Sequence, residues 1–414
     1  MSDASLDLLR LQFALTAGIH YLFVALTLGL APFVLCVQAR AVWTGDAARM
    51  RAVRFWGGLY VIGYGTGVLS GLVMETQLAL NWSGLNRVFG SVVAAPLAIE
   101  TAAAFFVESA FLGLWVFGWD RMGRWAHLGC FAVVTGTAYL SAFWVMAANG
   151  LLRNPVGFEM RGGEAVLTDP LAVAFNPSGL LGFAHTAVTA LFVGGLFVAA
   201  VSARHVLRGT DADGVFRRGV RTGLVLVMAA VAPVAVTGGT QFRFTEGPTP
   251  TTGLTYDEAG IAAVEAAWEP SYGWIWDVAG GTMTVVWELV VLLCLVGAVA
   301  WIARRLDRWR WFLWVLVFSP VLPWAASVGG WVYRELGRQP WTVTHHLTTA
   351  EAVTPMSAGA AVVSLCVFVS AYALLAGATA WWLVRVARLG VGRGPLREPD
   401  QGPPAEEGRE PVRF

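Results

Sequence analysis

His20, Glu75, Glu100, Glu108, His185 and Glu288 lie inside long apolar runs of this 414-residue chain, and Glu335 lies at the end of another. An ionisable group in such a run needs a partner or a purpose, because burial penalises its charged form. Neutral imidazole is a good axial ligand for haem iron, and a thioether such as that of Met283 is its usual companion at a low-spin centre. Each group also has a plainer use. A histidine in an apolar helix can bond a neighbouring carbonyl, and a methionine can simply fill the core. What links them is depth: His20, His185 and Met283 each fall one to three turns from the same end of their runs.

Glu100 and Glu108 stand eight residues apart. On a regular α-helix that spacing places them about 80° apart around the axis, at successive depths. Two readings compete: a proton relay leading from Glu108 to Glu100, or two carboxyls kept protonated by burial and bonded to hydroxyls or indoles.

The elements that must position these groups are membrane-spanning helices. The chain is 57% hydrophobic and 13% charged, about half the charge of a soluble protein, and its mean hydropathy is +0.62. Nine runs reach roughly the 20 residues that cross a bilayer: 11–37, 55–80, 94–119, 126–150, 179–204, 219–238, 276–302, 311–333 and 360–386. All 28 basic residues are Arg, and they collect in alternate loops, for example Arg49, Arg51 and Arg54, then Arg304, Arg305, Arg308 and Arg310. The positive-inside rule then puts the N-terminus outside and the C-terminus in the cytoplasm. The expected fold is therefore all-α and integral to the membrane. Residues 1–388 form the transmembrane domain and 389–414, rich in proline, a disordered cytoplasmic tail.

Other classes drop out. The net charge is +1 with no basic stripe, so nucleic acid is not a partner. Cys36, Cys130, Cys294 and Cys366 stand singly, without the spacing of an iron–sulfur, zinc or covalent haem site. No cleavable signal peptide is expected from the acidic N-terminus, and no inverted repeat suggests a transporter.

Several stretches carry a resemblance. They are Arg10-Leu-Gln-Phe-Ala-Leu-Thr-Ala17 with His20, Gly71-Leu-Val-Met-Glu75, Asn81-Trp82, and Ala95-Pro-Leu-Ala-Ile-Glu100. Further on come Phe106-Val-Glu-Ser109, Phe117-Gly-Trp-Asp-Arg121, Ala147-Ala-Asn-Gly150 and Asn154-Pro155. The most specific is Gly330-Trp-Val-Tyr-Arg-Glu-Leu-Gly-Arg-Gln-Pro-Trp341, which fits G-W-x-x-x-E-x-G-R-Q-P-W without a mismatch. Together they resemble subunit I of the cytochrome bd-type oxygen reductases over nearly all nine runs. The resemblance implies roles by position. His185 and Met283 would hold a low-spin haem b. His20 and Glu335 would hold the two haems of a high-spin pair, a haem b together with haem d or a third haem b, with Arg338 beside them. Glu100 and Glu108 match the proton channel. It also implies a quinol donor, dioxygen reduced to water, a helical partner (subunit II), possible small accessory subunits, and residence among the lipids of a bacterial cytoplasmic membrane.

The donor side departs from the family. Residues 238–275 correspond to a shortened quinol loop. Where the family opens it with an acidic motif, this chain reads Gly238-Gly-Thr-Gln-Phe242. Ala262-Ala-Val-Glu-Ala-Ala-Trp-Glu269 keeps the family's acid as Glu265, but Gly260 and Gly281 replace the Lys and Arg expected there. His345 and His346, just past the signature, suit a metal, a quinol or a plain loop. Alternative functions stay open: a bd-like haem oxidase with another donor or an organic substrate, or a haem protein that only conducts electrons or senses oxygen.

Overall fold

The computed structural model describes residues 3–211, 213–245, 255–268 and 273–396. Among them are nine helical segments long and apolar enough to span: Asp3–Thr44, Ala47–Asn81, Ser83–Phe117, Arg124–Arg153, Pro170–Leu207, Val215–Gln241, Gly273–Ile302, Arg310–Leu336 and Ala358–Leu389. A helix bonds its own backbone throughout, which is what a bilayer demands. These nine match the nine runs in order, and the all-α membrane fold stands. Two short antiparallel hairpins on the outer side are the additions. Phe158–Arg161 pairs with Glu164–Leu167 through Gly162 and Gly163, both at positive φ as a two-residue hairpin turn requires. Trp341–Val343 pairs with Leu347–Thr348.

The first span is 42 residues, about 63 Å at 1.5 Å per residue, so it projects well beyond a hydrocarbon core of about 30 Å. Gly45 at positive φ ends it, and Asp46 caps the second span by accepting from the amides of Ala48 (2.9 Å) and Arg49 (3.2 Å). Those amides, that of Arg49 foremost, hold the Asp46 carboxyl below its ordinary value. The first and fifth spans touch backbone to backbone, since a Cβ on Gly29 would lie 2.8 Å from the Gly194 nitrogen. Lipid supplies no hydrophobic drive between helices, so such close approach is what holds them.

The inner half is a dense aromatic core of Phe33, Phe55, Trp56, Tyr60, Trp115 and Phe131. Two histidines are locked into it. His127 bonds Gln38 Nε2 through Nδ1 (2.9 Å) and the Trp115 carbonyl through Nε2 (2.7 Å). His205 bonds Thr210 Oγ1 and the Ala387 carbonyl, and stacks on Phe216 at 3.9 Å. Both rings are fully engaged and hold helices together.

Three local features differ from expectation. The third span is α-helical only to Ile99, then runs as a π-helix over Glu100–Phe106. The eighth is divided at Ser319 and Pro320 into Arg310–Phe318 and Val321–Leu336. The tail is a partial correction: residues 390–396 fold back, with Leu396 buried and its carbonyl accepting from Arg54 Nη1 at 3.2 Å. Residues 397–414 lie outside the described residues.

Candidate functional site: ligand-type side chains in the outer half of the bundle

His20 and His185 differ from the two locked histidines. Each bonds a hydroxyl of another helix through Nδ1, His20 with Ser70 Oγ (2.8 Å) and His185 with Thr237 Oγ1 (3.0 Å), and His185 also meets the Val234 carbonyl. Each also faces a glycine across the helix interface. A Cβ on Gly71 would lie 3.6 Å from His20 Cε1, and one on Gly238 would lie 3.0 Å from His185 Cε1. Met283 repeats the pattern, with its sulfur 3.1 Å from a Cβ placed on Gly330. At Gly238 and Gly330 a side chain would crowd the ring and the sulfur, whereas at Gly71 it would make an ordinary contact.

The outer end of the eighth span gathers these residues. Gly330 and Arg334 are four residues apart and share a face. Gly330 meets Met283 of the seventh span, while Arg334 Nη2 lies 3.7 Å from a Cβ placed on Gly182, one turn from His185. Trp331 stacks on Tyr21, the neighbour of His20, at 6.1 Å. Glu335 and Arg338 are both buried and form an ion pair one turn apart. Arg334 is held by Asn149 Oδ1 at 2.8 Å and Gln241 Oε1 at 2.7 Å. Arg334, Asn149 and Gln241 were not singled out in the sequence. Arg334 sits inside the signature, and Gln241 in the stretch notable only for its missing carboxylate.

Several buried polar atoms nearby have no hydrogen-bond partner: Glu335 Oε1, Arg338 Nε, Arg334 Nη2, Ser327 Oγ and Trp331 Nε1. Buried polar atoms are ordinarily satisfied, so a cluster of orphans marks a place for an additional polar group. Guanidinium nitrogens suit carboxylates such as haem propionates, and imidazole, thioether and carboxylate donors suit iron. The residues present fit haem.

Glu100 and Glu108 lie deeper, Glu100 opening the π-helical turns and Glu108 following them. Glu100 Oε1 accepts from Ser141 Oγ at 2.7 Å. Glu108 is buried and accepts from Tyr60 OH at 3.1 Å, beside a Tyr64–Ser109 hydroxyl pair at 2.7 Å. The π-segment makes the regular-helix angle inapplicable, and such segments recur at functional sites. Glu75 Oε1 is 3.5 Å from Thr101 Oγ1, at the edge of this group. Glu288 is exposed on the seventh span and takes no part in it.

The profile of the family described as "Cytochrome bd terminal oxidase subunit I" matches residues 8–282 and 278–391. The chain belongs to this family. It is 30% identical to "Cytochrome bd ubiquinol oxidase subunit 1" of Bacillus subtilis (strain 168), over 94% of each chain. It is 28% identical to "Cytochrome bd-II ubiquinol oxidase subunit 1" of Escherichia coli (strain K12), over 96% of this chain and 99% of that one. Its fold matches "The structure of bd oxidase from Geobacillus thermodenitrificans" with a TM-score of 0.79 at 24% identity, covering 93% and 99% of the two chains. This bd-family subunit is thus a multi-pass protein of the bacterial cytoplasmic membrane and an oxidoreductase.

In this bd subunit the second hairpin also packs against the segment between the sixth and seventh spans. The sixth helix runs on to Thr245, so residues 238–245 are helical and not loop. Glu265 lies on the short helix Glu258–Ala266, where its Oε1 is 3.4 Å from both His345 Nε2 and Trp341 Nε1. The Trp341 amide in turn donates to the Arg338 carbonyl at 3.0 Å, which ties this outer cluster to the buried ion pair. Glu269 and Pro270 lie outside the described residues, as does the side chain of Arg243.

His346 is buried under this hairpin, with Nδ1 3.1 Å from Thr255 Oγ1. Burial first, and the neighbouring His345 second, push its pKa down to about 4 from 6.5. The folded hairpin therefore holds His346 neutral, whereas a detached hairpin would take up a proton near its ordinary value. The stability from this group is complete above about pH 6.5 and is lost as pH falls towards about 4. Amide exchange over residues 341–349, corrected for intrinsic rates, is expected to accelerate across that window. His346→Gln is expected to flatten the dependence.

Proposed function

We propose that this chain reduces dioxygen to water with electrons from a quinol, using haems held by its own side chains, and that it works in complex with a helical subunit II. When bound, a low-spin haem b would accept electrons singly, and a high-spin pair (haem b with haem d or a third haem b) would deliver them to dioxygen. The observation that carries this reading is a set of ligand-type side chains gathered in the outer half: His20 and His185, each bonded to a hydroxyl through Nδ1, Met283 against Gly330, and Glu335, whose buried Oε1 keeps no hydrogen-bond partner.

His185 and Met283 would hold the low-spin iron from opposite helices. His20 and Glu335 would each hold one iron of the high-spin pair. Arg334 and Arg338 would neutralise carboxylates at the outer rim. Glu108 would take protons from the cytoplasmic side and pass them through Glu100 towards the oxygen site. Glu265, next to His345 and Trp341 on the outer face, would bind the quinol. The glycines at 260 and 281 place no cation there, which favours a second reading in which another donor replaces the usual quinol.

The test is oxygen uptake by the complex purified with co-expressed subunit II, driven by menaquinol or ubiquinol, with reduced-minus-oxidised spectra of the same sample. Rapid uptake that His185→Ala abolishes, together with the low-spin bands, is the expected outcome. Haem bands without quinol-driven uptake would overturn the quinol assignment in favour of the second reading.

A further inference from the structure

Two imidazoles on different helices share one arrangement. Ser70 has a single hydroxyl proton, and it is directed at the Gly67 carbonyl three residues back, at 2.9 Å. Thr237 directs its own at the Pro233 carbonyl four residues back, at 2.7 Å. With Nε2 given to iron, Nδ1 of each ring carries the hydrogen, and the hydroxyl whose own proton goes to the helix carbonyl accepts it: Ser70 at 2.8 Å from His20 and Thr237 at 3.0 Å from His185. A neutral imidazole has one N–H and one lone pair, so the lone pair of each ring stands at Nε2. His127 and His205, with both nitrogens bonded, have no such free position.

We infer that Ser70 and Thr237 are positioning residues that fix His20 and His185 in the Nδ1–H tautomer and set the donor strength of Nε2 towards iron. The inference rests on the haem-ligand reading above. A hydroxyl that is already donating is polarised and accepts more strongly. A hydrogen bond accepted from Nδ1–H makes the ring a better electron donor at Nε2, which favours the ferric state. The two helix carbonyls thus act on the iron at second hand, through one hydroxyl each.

The experiment is a redox titration followed by visible absorption, on the complex of this chain with subunit II. Thr237→Val keeps the shape and removes the acceptor. The ferrous-to-ferric ratio of the low-spin haem at a fixed potential is expected to rise about tenfold, which is a midpoint about 59 mV higher. Thr237→Ser is expected to restore the wild-type value. Ser70→Ala is expected to raise the midpoint of a high-spin haem in the same direction, and to lower its ferrous iron–imidazole stretching frequency in resonance Raman spectra. Should Thr237→Val fail to assemble, Thr237→Cys, a weaker acceptor of similar size, is expected to shift the midpoint the same way by less. Unchanged midpoints in these variants, while His185→Ala loses the low-spin haem, would overturn the positioning role and leave the ligand reading intact. A His185→Ala variant that keeps the low-spin haem would overturn both.

Discussion

Glu335→Ala is expected to remove one high-spin haem and several kcal/mol of stability together. Its carboxylate is buried in an ion pair with Arg338, and Arg334 and Arg153 share the same charge cluster. Taking away this carboxylate leaves the buried Arg338 guanidinium without its ion-pair partner, a loss of about 3–5 kcal/mol. Thermal denaturation of the detergent-solubilised complex reads the stability, and pyridine haemochrome analysis reads the haem content. The double variant Glu335→Leu with Arg338→Met separates the two roles. Replacing a buried pair by apolar groups of similar volume is often neutral for stability, so the fold is expected to return while the haem does not. A double variant with its full haem complement would show that Glu335 serves only as a counter-ion.

Glu108→Gln is expected to slow oxygen uptake by about 10²-fold or more, the usual size of a lost proton-transfer group, while leaving all haem bands in place. Glutamine can still accept the Tyr60 hydroxyl hydrogen bond, now made to Glu108 at 3.1 Å. It cannot take a proton and release it. The side chain lies on the inner side of the π-helical turns while the ligand-type atoms lie in the outer half, so its effect is expected on rate alone. Uptake at the wild-type rate would end the relay hypothesis and leave Glu108 as a buried, hydrogen-bonded acid.

Much of the site was legible residue by residue, because a bilayer makes isolated polar groups conspicuous. His20, His185, Glu100, Glu108 and Glu335 stand out in apolar runs without any knowledge of their neighbours, and the signature through Trp341 marks Arg338. What could not be read were the groups that hold them. Ser70 lies 50 residues from His20, Thr237 lies 52 from His185, and Asn149 lies 185 from Arg334. A serine or threonine in a span ordinarily bonds its own helix, and nothing local says that its oxygen also meets a ring on another. Proline and charge dominate residues 389–414, so composition alone points to disorder there. Leu396 escapes that rule by packing on the second span.

The sequence alone determined the nine spans, their orientation and the family, since each depends on terms that add along the chain: apolar length, the sidedness of arginine, and an unbroken twelve-residue motif. Only the tertiary structure decided which hydroxyl meets each candidate ligand histidine, which glycine lies against Met283, and that helical geometry changes between Glu100 and Glu108. Those depend on where a hydroxyl, a Cα or a carbonyl of one helix meets the side chain of another. Lipid offers no hydrophobic drive to set that meeting. It follows from close contacts such as Gly29 on Gly194, which no single helix encodes.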